Sequence, residues 1–243
     1  MEYTAVASYG FQLLGEASGN VAISQDFTNL ALRLKTNIRT SSDRGGGSYA
    51  YRFGYWINRF PLKRSNQTIV AFRSSGYAFV YVYEPDHVVF ASEEPGESID
   101  VFVFDAVSQS SVFENTNYGM IVYRSDGSVA FDSRYKYMKV VGSVAVNNNI
   151  SNPTAVPGVI ASLKSVAVVQ SYAYVEHRSP VRTAPTSPPR VIGNDTTLTF
   201  WAVKSDASST DFKQVETYTP DGRTSGYGFG PGDNLLFVDV SLF

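Results

Sequence analysis

Apolar side chains recur at every second position along most of this chain. Leu30, Leu32 and Leu34 alternate with Ala31, Arg33 and Lys35, which predicts a strand whose leucines share one buried face. Tyr49, Tyr51, Phe53 and Tyr55 repeat the spacing. From Tyr77 to Tyr83 the aromatics take one face while Ala78, Val80 and Val82 take the other, so this strand is expected to be covered on both sides. Ile99 to Phe104 and Leu235 to Val240 predict further strands, each closing its half of the chain. The best helical run, Val159 to Lys164, is too short to count for much. The pattern predicts an all-β protein with little helix.

Turn residues punctuate these runs. Ser18-Gly19 and Asp126-Gly127 each lie between two apolar runs and predict hairpins with glycine at positive φ. Ser75-Gly76, Pro95-Gly96, Pro157-Gly158 and Asp221-Gly222 mark other breaks. The two hairpins are copies of each other. Tyr9-Gly10-Phe11-Gln12-Leu13-Leu14, a turn ending at Gly19 and Asn20-Val21-Ala22-Ile23-Ser24-Gln25-Asp26-Phe27 form the first. Tyr118-Gly119-Met120-Ile121-Val122-Tyr123, a turn ending at Gly127 and Ser128-Val129-Ala130-Phe131-Asp132-Ser133-Arg134-Tyr135 form the second. A separation of about 110 residues exceeds the roughly 20 to 50 of solenoid repeats. It predicts two tandem, similar β-sandwich domains, 1–108 and 109–243, parted in the polar stretch between Val107 and Asn117. The second carries Ser179 to Pro189, whose four prolines predict an extended loop near 179–190 rather than a strand. Residues 40–48, with Gly45-Gly46-Gly47, predict an exposed loop.

Composition narrows the function. A chain of 243 residues can bury a core without a metal or disulfide staple. The absence of cysteine removes disulfides, thiolate zinc sites and thiol nucleophiles. A net charge of −2 without a block of like charges points away from nucleic acid and from a basic membrane patch. The start of the chain lacks the basic-then-apolar order of a signal peptide, and no stretch reaches a bilayer-spanning length, so synthesis in a cytoplasm and no membrane insertion are expected. The 16 tyrosines and 16 phenylalanines suit sheets, and tyrosines also suit contact surfaces.

Little in the chain has the spacing of chemistry. His87 and His177 lack nearby partners in sequence, and no Gly-x-Ser-x-Gly elbow is present. Gly45-Gly46-Gly47 lacks the Lys-Ser or Lys-Thr of a phosphate loop, and a proline interrupts the alternating glycines of residues 226–232. Glu93 and Glu94 point to opposite faces if extended and cannot flank one sugar bond. No catalytic, cofactor-binding or metal residue is expected, nor an enzyme. Asp132 and Arg134, two apart on a strand and so on one face, are expected to fix the hairpin to its neighbour, a structural role. Candidate ligand or partner contacts are Tyr49, Tyr51, Tyr55 and Trp56 beside the glycine loop, and Tyr227 and Phe229; Trp201 is expected in the core.

The second hairpin, Tyr118-Gly119 through Asp126-Gly127 to Phe131-Asp132-Ser133-Arg134, resembles a motif of small tail proteins of tailed bacteriophages, with a degraded copy at Tyr9, Gly10 and Gly19. In that copy Ser24, Gln25 and Asp26 stand in place of Asp-Ser-Arg. The resemblance implies a virion structural component of the tail tip, baseplate or fibre region, located in the virion tail. It also implies other tail proteins as partners and a homo-oligomer, with a trimer expected. A carbohydrate- or receptor-binding module of the same particle, contacting host surface glycan, is the alternative. A surface-polysaccharide hydrolase is a third reading, without a signal of its own.

Overall fold

The computed structural model describes residues 12–14, 21–24, 29–41, 55–107, 119–146, 165–170, 181–184, 190–194, 196–205, 210–219, 233–241 and 243. No α-helix occurs among them. The strands are β1 (Gln12–Leu14), β2 (Val21–Ser24), β3 (Leu30–Arg39), β4 (Trp56–Pro61), β5 (Ile69–Ser74), β6 (Ala78–Tyr83), β7 (His87–Ser92) and β8 (Ser98–Ala106). They continue with β9 (Ile121–Tyr123), β10 (Val129–Asp132), β11 (Lys139–Val146), β12 (Val166–Gln170), β13 (Val181–Ala184), β14 (Arg190–Asn194), β15 (Thr196–Ser205), β16 (Thr210–Thr219) and β17 (Asp233–Asp239). The fold is all-β and sandwich-like, as the period-two pattern predicts.

Both repeated hairpins form, and their registers agree position by position. In β1–β2, Gln12, Leu13 and Leu14 face Ser24, Ile23 and Val21; in β9–β10, Ile121, Val122 and Tyr123 face Asp132, Phe131 and Val129. The register skips Ala22 in one and Ala130 in the other, so even the bulge is repeated.

The larger sheets are six-stranded, in the order β11-β17-β12-β5-β8-β3, and five-stranded, in the order β16-β15-β6-β7-β4. The first reads alike from either end, with β3-β8-β5 answering β11-β17-β12. The sequence supports that correspondence. Pro95-Gly96-Glu97 leads into β8 as Pro231-Gly232-Asp233 leads into β17. Buried Ile99, Val101, Phe102 and Phe104 have buried counterparts in Leu235, Phe237, Val238 and Val240. In the second sheet the β6–β7 hairpin answers the β15–β16 hairpin.

The two halves of the sequence do not fold as separate bodies. β5 hydrogen-bonds to β12 and β6 to β15, so each sheet runs on from one half into the other. The compact units are Met1–Leu34 with Asn66–Ile69 and Val103–Met138, and Lys35–Ser65 with Val70–Phe102 and Lys139–Phe243. Neither is the segment 1–108 or 109–243. The expected boundary loop lies largely outside the described residues, as do Val159 to Lys164 and most of the loop 40–48.

Local expectations fare unevenly. β8 is buried on both faces from Val101 to Asp105, but β6 is covered on both sides only from Ala78 to Val80, and Val82, beyond a register shift, is 38% exposed. β3 departs from simple alternation: Leu34 is exposed while Ala31 is fully buried. Ala31 also bridges Tyr137 antiparallel, beside the edge of β3. The proline-rich segment is not all loop, because β13 pairs with β14. The four prolines of this segment lie outside the described residues.

Candidate functional site

The second hairpin is the best-formed of the sequence candidates. Its turn is a three-residue loop: the Arg124 N–H donates to the Ser128 carbonyl at 2.7 Å and the Gly127 N–H to the Arg124 carbonyl at 3.0 Å. Gly127 takes φ of 82°, the left-handed value this loop type places on glycine. Asp126 Oδ1 accepts from the Ser128 N–H at 2.9 Å and its hydroxyl at 2.7 Å, closing the turn.

After β10 the chain turns again, and here the Asp-Ser-Arg triplet acts. Arg134 grips Asp132 with two donors, Nε to Oδ1 at 2.9 Å and Nη2 to Oδ2 at 2.5 Å, while its own N–H reaches Oδ1 at 3.0 Å. These bonds hold the Asp132 carboxyl below the usual range, so its contribution to stability is present above the ordinary aspartate value of about 3.9 and is lost as pH falls through the lower folded value. Ser133 closes a two-bond bridge with Met120: its N–H donates to the Met120 carbonyl at 2.9 Å, and its hydroxyl accepts from the Met120 N–H at 2.8 Å. The ring of Tyr137 stacks on Phe131 at 4.8 Å, and its hydroxyl takes the Asp132 N–H at 2.6 Å. Asp132 ends β10 and Arg134 lies in the turn after it, so the two bind each other across that turn instead of sharing a strand face that fixes the hairpin to its neighbour. Tyr137 had no signal in the sequence beyond being an aromatic shortly after the motif.

Gly119 explains why the motif begins with Tyr-Gly. A Cβ there would stand 3.1 Å from both Arg134 Cγ and Ser133 Oγ, atoms already fixed by the contacts above. Gly119→Ala is expected to cost about 1–2 kcal/mol by overpacking, read as a lower urea midpoint with an unchanged slope.

The hairpin exposes polar residues at its turn (Ser125, Asp126 and Ser128) and large apolar ones along β9. Tyr123 is 56% exposed, Met120 41% and Ile121 37%. Ile121 and Tyr123, two apart in β9, share one face of the hairpin, and Met120 stands just before it.

The aromatic candidates divide. Tyr49, Tyr51, Tyr227 and Phe229 lie outside the described residues, as do Tyr9, Gly10, Gly19, Tyr118 and His177, and so does the side chain of Trp201. Tyr55 is half-buried, its ring edge-on to Phe79 at 5.3 Å. Trp56 is half-buried at the start of β4, an outer strand of the five-stranded sheet. Tyr55, Ile57, Tyr77 and Tyr81 surround buried Phe79, Ala91 and Ala202 on one face of that sheet. The Tyr77 hydroxyl donates to Asp211 Oδ2 at 2.6 Å, and this bond raises the Tyr77 pKa to about 12. Burial raises Tyr137 to about 12 as well. Both phenols keep their protons longer in the folded protein. Their stabilisation is therefore complete below the ordinary value of about 10 and is lost as pH rises from there to about 12. In phenolate absorbance, one late-titrating component is expected to disappear in Tyr77→Phe and another in Tyr137→Phe.

The ligand atoms of Glu84, Asp86 and His87 lie within 4.8 Å of one another at the β6–β7 turn. Glu84 is already paired with Arg59, His87 Nδ1 bonds Asp86 at 2.7 Å, and Arg64 donates to the Glu84 carbonyl. Two guanidinium groups so close disfavour a cation there. Among the described residues no helix is long and apolar enough to cross a membrane. No protein-family model, no curated protein and no solved structure matches this chain.

Proposed function

We propose that this protein is a structural component of a bacteriophage tail, in the tail tip, baseplate or fibre-attachment region, acting through protein–protein interfaces. The observation that carries the reading is the second hairpin. Its motif residues hold one another, while Ile121 and Tyr123 on one face of β9, with Met120 before it, are exposed to a partner. Exposed apolar side chains on a hydrogen-bonded hairpin suit a permanent contact with other tail proteins or with further copies in a homo-oligomer, for which a trimer is expected. In the double variant Ile121→Glu, Tyr123→Glu both side chains are already exposed, so the fold is expected to survive while incorporation into virions fails. Mass spectrometry of purified particles, with light scattering of the free protein, measures both. Normal incorporation of that variant, or absence of the wild-type chain from particles, ends the proposal.

The half-buried tyrosines around Phe79 favour a second reading, a glycan- or receptor-binding face. On that reading Trp56→Ala abolishes binding on a glycan array, and undiminished binding removes Trp56 from the site.

A further inference from the structure

Equivalent residues of the two repeats lie opposite each other. Val21 and Val129 set the hairpin repeat at 108 positions, which makes Leu30 the counterpart of Met138. The bridge of Ala31 to Tyr137 is flanked by the Met138 N–H on the Leu30 carbonyl at 2.8 Å and the Leu32 N–H on the Lys136 carbonyl at 2.7 Å, so Leu30 faces Met138 directly. β2 and β10, also counterparts, touch within the same compact unit. The other unit repeats the relation independently. Val70-Ala71-Phe72 and Val166-Ala167-Val168 share their Val-Ala start at equivalent strands, and Phe72 pairs with Val168. β6 pairs with β15, its counterpart, through Ala78 and Val203.

An antiparallel pair in which a residue faces its own counterpart is what a two-fold axis through that pair produces, because a half-turn exchanges the strands and leaves the pair unchanged. A symmetric homodimer joins its copies in this way. We infer that the seams β5–β12 and β6–β15 in one unit, and Leu30–Met138 in the other, are each a homotypic contact, whose partner is another copy of the same repeat, here supplied by the same chain. The interface is the hydrogen-bonded edge of each sheet. Taken alone, the first repeat ends its sheets at β5 and β6. That leaves unpaired the backbone of strands carrying Val70, Ala71, Phe72, Phe79 and Val80, all of them buried in the whole chain. Unpaired edges of this kind recruit another strand. The inference stands whether or not the protein belongs to a virion.

The test uses the full chain with a protease site placed in residues 108–117. After cleavage of the folded protein, the two pieces are expected to remain one particle. After unfolding and refolding of the cleaved mixture, native mass spectrometry is expected to find like-with-like pairs of pieces beside the original pairing. Separation of the pieces in native buffer, or refolding to the original pairing alone, overturns the inference. A second measurement uses the uncut chain. Phe72→Val and Val168→Phe are each expected to lower Tm by about 4 °C or more, and the chain carrying both to return to within about 2 °C of the parent. Losses that simply add in the double variant also overturn it.

Discussion

Asp105→Ala is expected to lower stability by about 3 kcal/mol, the low end of what breaking a buried ion pair costs. The Asp105 side chain is completely buried in β8. Its Oδ2 accepts from the Thr68 hydroxyl at 2.7 Å and from Arg33 Nη1 at 3.3 Å, and its Oδ1 accepts from the Ala106 N–H at 2.9 Å. Removing the carboxylate takes an acceptor from three donors. Arg33 keeps partial access to water, which is why the low end applies. Asp105→Asn keeps the shape and an acceptor and is expected to lose only about half as much. Urea unfolding of the three proteins measures the difference. A loss under about 1 kcal/mol for the alanine variant contradicts the arrangement of donors around the carboxylate.

Gln170→Met, matched in volume, is expected to cost about 2 kcal/mol. Gln170 is buried at the end of β12, and its Oε1 accepts the Val80 N–H at 3.0 Å. The β6–β7 register shifts between Val80 and Val82, so this carboxamide meets the backbone beside a bulge. Methionine fills the space and leaves a buried N–H without its acceptor. The Tyr83 hydroxyl, which donates to the Gln170 carbonyl at 2.7 Å, keeps its bond in the variant. The loss therefore reports the side-chain acceptor, and calorimetric or urea midpoints read it. A neutral result means that Val80 finds another acceptor.

Much of the candidate site was legible in the chain because a hairpin is local. Turn glycine, flanking alternation and the spacing of Asp132 to Arg134 lie within a short stretch, and each has a physical meaning without knowledge of the rest. Tyr137 and Asp105 were not legible. The first matters because its ring stacks on Phe131, the second because Thr68 and Arg33 converge on it from other strands. Neither encounter leaves a trace in spacing.

The same division runs through the fold. Side-chain alternation, turn chemistry and a duplicated hairpin fixed an all-β chain made of two like sets of strands, since these depend on neighbours in sequence. Which strands share a sheet is decided by backbone hydrogen bonds, and those look alike for every residue. Only the tertiary structure could join β5 to β12 and β6 to β15, turning two predicted bodies into continuous sheets. It also buried Ala31 and exposed Leu34 against the pattern of their own strand.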